Sequence, residues 1–302
     1  MNEKKLALLL LGLSSLNVSA SENFSDHEMF CEQQPQISCL DYINQQLASS
    51  ELGSARWYEI KSYQFDYFYD KMEFQTLKDS TEPFISSEEL PVVFQVQVYF
   101  YYAKSMHYLG DFETGRKYAT KAFEKLQAIF DSFGNPMRMV ELANLQYVFG
   151  NKETALHILD RAERRFGKSK DPIFHFELAS NKANVFHSLG DVDGALASRQ
   201  IAADWILKTN HNRKISVALG NLARTHQLLA NYEQADAVYT QSLKYMDLDS
   251  DRHVIAIYTL RLAEINWQAG KPEQALKWYK QVHKEDIRQS HAKLYAHLGN
   301  VL

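Results

Sequence analysis

Small, apolar and polar positions recur along this chain with a period of 40 residues. Alanine stands at Ala103, Ala143, Ala183, Ala223 and Ala263. Seven residues after each comes a turn position, Gly110, Gly150, Gly190, Ala230 and Gly270, followed by Asp111, Asn151, Asp191, Asn231 and Lys271. Five past the turn position lies a second small column, Gly115, Ala155, Ala195, Ala235 and Ala275. Seven further on come Ala122, Ala162, Ala202, Ser242 and Val282.

Each column has a physical reason. Two antiparallel helices approach closely only where side chains are small, so the first two small columns predict the contact between a helix A and a helix B. The glycine column ends helix A, where a left-handed residue is often needed. The Asp or Asn after it suits the turn and can cap helix B. Leu109, Phe149, Leu189 and Leu229, just before the turn, are expected to pack inward. Breaks between units fall at 133–136, 170–172 and 247–251, and Pro136 and Pro172 fit the first turn of a new helix.

Three stretches carry a resemblance. They are Ala183 with Leu189-Gly190-Asp191-Val192 and Ala195, Leu222-Ala223 with Asn231-Tyr232-Glu233-Gln234-Ala235, and Leu262-Ala263 with Gly270-Lys271-Pro272-Glu273-Gln274-Ala275-Leu276. Each resembles the tetratricopeptide repeat. The resemblance implies an all-α chain, a right-handed α-solenoid of helix-turn-helix repeats. It covers residues 86–302 as about five repeats and a partial sixth. The family's usual unit is 34 residues, so longer helices or longer turns are expected here. HEAT-type repeats also have periods near 40, but a Gly turn with Ala five residues on is not their pattern.

Both ends depart from the register. Residues 21–85 read as an amino-terminal helical cap with helices near 40–50 and 54–78. The second is strongly aromatic, with Trp57, Tyr58, Tyr63, Phe65, Tyr67, Phe68 and Tyr69, and is expected to lie against the first helix A or, alternatively, to form an aromatic ligand box. At the other end, 298–302 look like the start of a sixth helix A without its helix B, leaving apolar residues exposed.

Residues 1–20 have the parts of a secretory signal: Lys4 and Lys5, an apolar run from Leu6 to Leu13, and small residues before a cleavage point after Ala20. The chain is therefore expected to be exported, most simply to a bacterial periplasm. In that setting Cys31 and Cys39 read as a disulfide. A metal site is the weaker reading, because only His27 is near them and such sites usually need four ligands. Composition agrees with a folded helical protein: 302 residues, 45% hydrophobic, with only 12 Gly and 6 Pro. The formal net charge of −4 offers nothing to nucleic acid or to an anionic membrane surface. No segment after the leader is apolar enough to span a bilayer.

Catalytic signatures are missing. There is no P-loop, dinucleotide fingerprint, HExxH or nucleophile elbow. The 11 histidines are scattered, and His291 and His297 are six apart, wrong for one helical face. No enzyme activity, cofactor or metal is expected.

In the family the A helices line a concave groove that holds an extended peptide or a partner's helix. One stripe of helix A carries Lys104, Asn144, Asn184, Arg224 and Glu264, then His107, Tyr147, His187, Gln227 and Trp267 one turn on. Asn181, Asn221 and Arg261 lie beside it. Arg can hold a carboxylate bidentately and Asn can hold a peptide backbone; alternatively these Asn residues bond one another between repeats. Gly220 suggests room for close approach, and Tyr147 and Trp267 are candidate aromatic anchors. The expected peptide-binding set is Lys104, Asn144, Tyr147, Asn181, Asn184, His187, Asn221, Arg224, Gln227, Arg261 and Trp267.

Three functions fit. One is a scaffold or adaptor outside the cytoplasm. Another is the sensor portion of a signalling protein of the diguanylate cyclase or histidine kinase type. The third is a structural part of a surface or secretion apparatus. A homodimer through the carboxy-terminal helix is a further possible partner mode.

Overall fold

The computed structural model describes residues 26–87, 89–133, 136–248 and 251–302, with the backbone alone for 129–133. The leader lies outside the described residues, as do the turn residues Gly134 and Asn135. The amino-terminal cap holds α1 (His27–Cys31), α2 (Cys39–Ser49), α3 (Ala55–Asp70) and α4 (Phe74–Thr81). Five helix pairs follow: α5 (Val92–Tyr108) with α6 (Phe112–Phe133), α7 (Pro136–Phe149) with α8 (Lys152–Phe166), α9 (Pro172–Ser188) with α10 (Val192–Ile206), α11 (Asn212–Leu228) with α12 (Tyr232–Leu243), and α13 (Arg252–Gln268) with α14 (Pro272–Tyr279). Helix α15 (Gln289–Val301) packs on α13. The described residues contain no strand, and none of their helices is long and apolar enough to cross a membrane.

The small columns sit where the paired helices touch. Ala103, Ala183, Ala223 and Ala263 are fully buried, and so are Ala155, Ala195, Ala235 and Ala275. The first pair is close enough that a Cβ on Gly115 would lie 3.1 Å from the carbonyl oxygen of Ala103. Four of the five turns close in one way. The N–H of the residue after the turn position donates back to helix A, from Asp111 to Met106, Asp191 to Phe186, Asn231 to His226 and Lys271 to Asn266, each at 2.9 Å. The turn position itself is left-handed in these four, Gly110, Gly190, Ala230 and Gly270, as this end-of-helix motif requires. Gly150 departs from the expectation: its φ is not positive, and its N–H donates to Gln146 in ordinary helical fashion. Helix B is capped by the side chains of Asp111, Asn151 and Asp191, whereas Asn231 and Lys271 make no such bond.

Four other expectations change. The helix read at 54–78 is two, because Met72 turns left-handed (φ 60°) and α3 stops there. Leu109 and Leu189 are 44% and 43% exposed rather than inward, since the left-handed turn that follows swings them to the edge of the solenoid. Residues 298–302 form the end of α15, not the start of a helix. Leu298 is fully buried against α13, with Tyr295 stacked on Tyr279, so this apolar face is largely used internally.

The cap has its own small core. Phe30 stacks between Tyr42 and Tyr63, each at 4.9 Å, over Ile43 and Ile60. The Cys31–Cys39 disulfide, with Cα atoms 5.2 Å apart, ties the end of α1 to the start of α2. Through Phe65 and Phe68 the face of α3 joins the main core, which runs on through α5–α9. The aromatic run of α3 is therefore packing and not an open ligand box.

Candidate functional site

The inner face is built from the A helices α5, α7, α9, α11 and α13. Neighbouring A helices are offset by about one turn, so their side chains meet 37 residues apart rather than 40. Asn144 Nδ2 donates to Asn181 Oδ1 (3.0 Å), Lys214 Nζ to Glu177 (3.2 Å) and Gln227 Nε2 to Glu264 (2.8 Å). These contacts form a polar ladder along the groove floor. Part of the predicted set is consumed by it: Asn181 also donates to the carbonyl of Glu177, and Gln227 accepts from Arg224 at 2.7 Å. The alternative in which Asn residues bond one another holds for Asn144 and Asn181, although Asn144 Oδ1 is left buried without a partner. Gly220 gives no room to a ligand, because the Tyr258 ring from the next repeat fills the place a Cβ would take.

The cap divides this face in two. Helix α3 packs on α5 at its amino-terminal end, and α1 reaches across the face to the start of α11. Asp66 on α3 accepts from Tyr101 Oη (2.9 Å) and from His27 Nδ1 (2.8 Å). Lys104, predicted as an open ligand contact, is 6% exposed and lies 4.0 Å from the Phe100 ring centre and 4.3 Å from that of Tyr69. Burial outweighs the neighbouring Asp66 and Asp70 charges and brings its pKa down to about 8. From α1, Asp26 reaches His211 Nε2 (3.2 Å) and Lys214 (3.3 Å), and Glu28 reaches His211 Nδ1 (3.4 Å) and Arg213 (2.8 Å). Burial works against the Asp26 carboxylate, but the His211 hydrogen bond and the Lys214 charge hold its pKa well below the usual range.

The carboxy-terminal half is open. Asn184 is half-buried and Asn221 exposed, and neither side chain is hydrogen-bonded among the described residues. Val217 and Leu228 are 45% and 46% exposed on the same helix as Asn221 and Arg224. Arg224 and Arg261 are half-buried. Arg261 holds Glu264 at 2.7 Å and approaches His291 Nε2 on α15 at 3.4 Å. Of the predicted anchors, Trp267 is exposed, while Tyr147 is half-buried against the main core; His187 is exposed at the end of α9. The open half thus offers amide groups, guanidinium N–H donors and two aliphatic side chains.

Sequence reasoning missed the cap contacts of Asp26, His27, Glu28, Asp66, Asp70, His211, Arg213 and Lys214. The only visible signal was the density of charge in 26–28 and 211–214. No spacing rule joins segments 185 residues apart.

A succession of paired antiparallel helices with a polar-floored concave face defines a helix-turn-helix solenoid. The tetratricopeptide repeat family model matches residues 218–252, which run from α11 through α12. The chain therefore carries a tetratricopeptide repeat at 218–252 within a helical solenoid. No curated protein matches it in sequence. Among solved structures it is similar to a Rap protein complexed with competence and sporulation factor (17% identity, 91% of this chain and 81% of that one, TM-score 0.55). It is similar also to NprR in complex with its cognate peptide NprX (12% identity, 91% and 77%, TM-score 0.51). A third likeness is to the APC/C hetero-tetramer Cut9–Hcn1 (14% identity, 90% and 51%, TM-score 0.56). At these identities the likeness is one of fold.

Proposed function

We propose that this protein binds an extended peptide or protein segment along the open, carboxy-terminal half of its concave face, and that it works as a scaffold or adaptor outside the cytoplasm. The observation that carries the reading is the set of Asn184, Asn221, Arg224 and Arg261 on three successive A helices. Its two amides have no hydrogen-bond partner among the described residues, and both guanidinium groups are within reach of solvent. A peptide backbone needs paired donors and acceptors, which carboxamides supply, and a carboxylate suits a guanidinium. Exposed Val217 and Leu228 give the apolar contact that such binding also needs. Rap and NprR, solved with a factor and with a cognate peptide, support the reading as an analogy of fold.

Export rests on the leader reading of residues 1–20, and the Cys31–Cys39 disulfide agrees with an oxidising compartment. A second copy docking through α15 is the weaker partner, because Leu298 is already buried internally. The test is capture from a random-sequence peptide library by the oxidised chain from residue 21, followed by Asn184→Ala and Arg224→Ala. We expect each variant to lose about tenfold in affinity for the selected peptides, about the effect of one charge-assisted hydrogen bond. Unchanged affinity in both variants sinks the groove reading.

A further inference from the structure

The contact between α1 and α11 is made of ionisable groups, most of them largely shielded from solvent. His27 and His211 are 2% and 5% exposed. His27 Nδ1 faces Asp66 at 2.8 Å, and its ring stands edge-on to Tyr67. His211 has a carboxylate at each nitrogen, Asp26 at one and Glu28 at the other.

We propose that His27 is the pH-sensitive part of a latch that holds α1 between α3 and α11, across the concave face, closed when its ring is protonated and released when it is not. The proposal rests on the concave face being the ligand surface, because what the latch covers is the continuation of that surface.

The charge balance of the cluster supports it. From α1 come Asp26 and Glu28, from α3 Asp66 and Asp70, and from α9 Glu177, which meets the cluster through Lys214. Against these five carboxylates stand Lys104 from α5 with Arg213 and Lys214 from α11. Tyr101 of α5 adds only a neutral hydroxyl, which donates to Asp66. An imidazolium at His27 narrows the difference, and a neutral ring widens it in a site where unpaired charge is costly.

The individual shifts run the same way. Burial disfavours the charged His27 ring, but the Asp66 hydrogen bond and charge outweigh it, so its pKa rises above the ordinary 6.5. Burial raises Glu28 more than Arg213 lowers it, and burial with the Asp66 charge raises Asp70. Each of these three groups holds its proton more tightly in the closed form than in the free chain. Their contribution to closure is complete below their ordinary pKa values and is lost as pH rises through the raised ones. Asp26 and Asp66 have lowered values and act oppositely at acid pH, where closure is lost as pH falls through them; Lys104, lowered to about 8, also acts oppositely, favouring closure as pH rises past that value. Closure is therefore strongest in mildly acidic solution, and the loss above neutrality belongs to His27.

Hydrogen exchange by mass spectrometry on the full, oxidised, ligand-free chain tests this, with protection referred to the unstructured rate at each pH. Between about pH 6 and about pH 8 we expect protection of residues 26–31 to fall about tenfold. His27→Gln, checked for fold by circular dichroism, should lose much of that dependence. If it fails to fold, Glu28→Gln serves in its place and should weaken the dependence likewise. Flat protection in the parent chain, or full dependence retained in the variant, overturns the latch. A peptide library that captures nothing at either pH overturns the groove reading instead, and the exchange result still decides the latch.

Discussion

The two halves of the concave face use the same helix positions for different ends. Lys104 and Arg224 occupy the same column one hundred and twenty residues apart. The first is sealed beneath aromatic rings from the cap, and the second reaches solvent with a single intrahelical partner. Asn144 and Asn184 repeat the contrast, one bonded into the ladder and the other without a side-chain bond among the described residues. Register along a solenoid tells which residues share a face; whether that face is available depends on what the rest of the chain lays over it.

If the halves differ in this way, substitutions in the covered half should act on stability and substitutions in the open half should not. The largest effect should come from Phe65→Ala, which empties a fully buried position packed on Phe94 at 5.8 Å where cap meets array. A loss of about 3–5 kcal/mol is expected in urea unfolding. A loss below about 1 kcal/mol would mean that the cap is not part of the array's core. Next comes the pair Cys31→Ser with Cys39→Ser, expected to cost about 2–3 kcal/mol by loop-closure entropy. Thermal unfolding with hydrogen exchange would show whether that loss is confined to the cap or spreads to α11. The smallest effect belongs to Asn184→Ala and Arg224→Ala, each within about 0.5 kcal/mol of the parent in the same unfolding experiment. A larger loss at either would place it in the ladder and erase the distinction between the halves.

Most of the array was legible because its devices have a residue type attached. A left-handed helix end asks for glycine, and Gly110, Gly190 and Gly270 supply it; a close helix pair asks for alanine, and the columns supply that. The break between α3 and α4 escaped notice because the same helix-ending bond, from the Glu73 N–H to the Phe68 carbonyl at 2.9 Å, is made with Met72 as the left-handed residue. Nothing in a methionine announces a turn. The candidate site was legible as a stripe but not as a surface. The 37-residue contacts that tie up Asn144, Asn181 and Gln227 follow from a one-turn offset between neighbouring helices, which depends on packing geometry. Burial of Lys104 depends on where the cap lies, and no periodicity reports that.

The tie from Asp26 to His211 also bears on how the molecule comes apart. In an open stack each repeat touches only its neighbours, so unfolding can begin at an end and travel inward one unit at a time. A bond across 185 residues removes that freedom from the amino-terminal end. The cap cannot peel away without breaking its hold on α11, and α11 cannot melt without releasing the cap. A linear array becomes, in its folding behaviour, a closed circuit. Its first four repeats should melt as one cooperative block, with α13–α15 free to fray outside it, and the closing contact should be among the last to form as the chain folds.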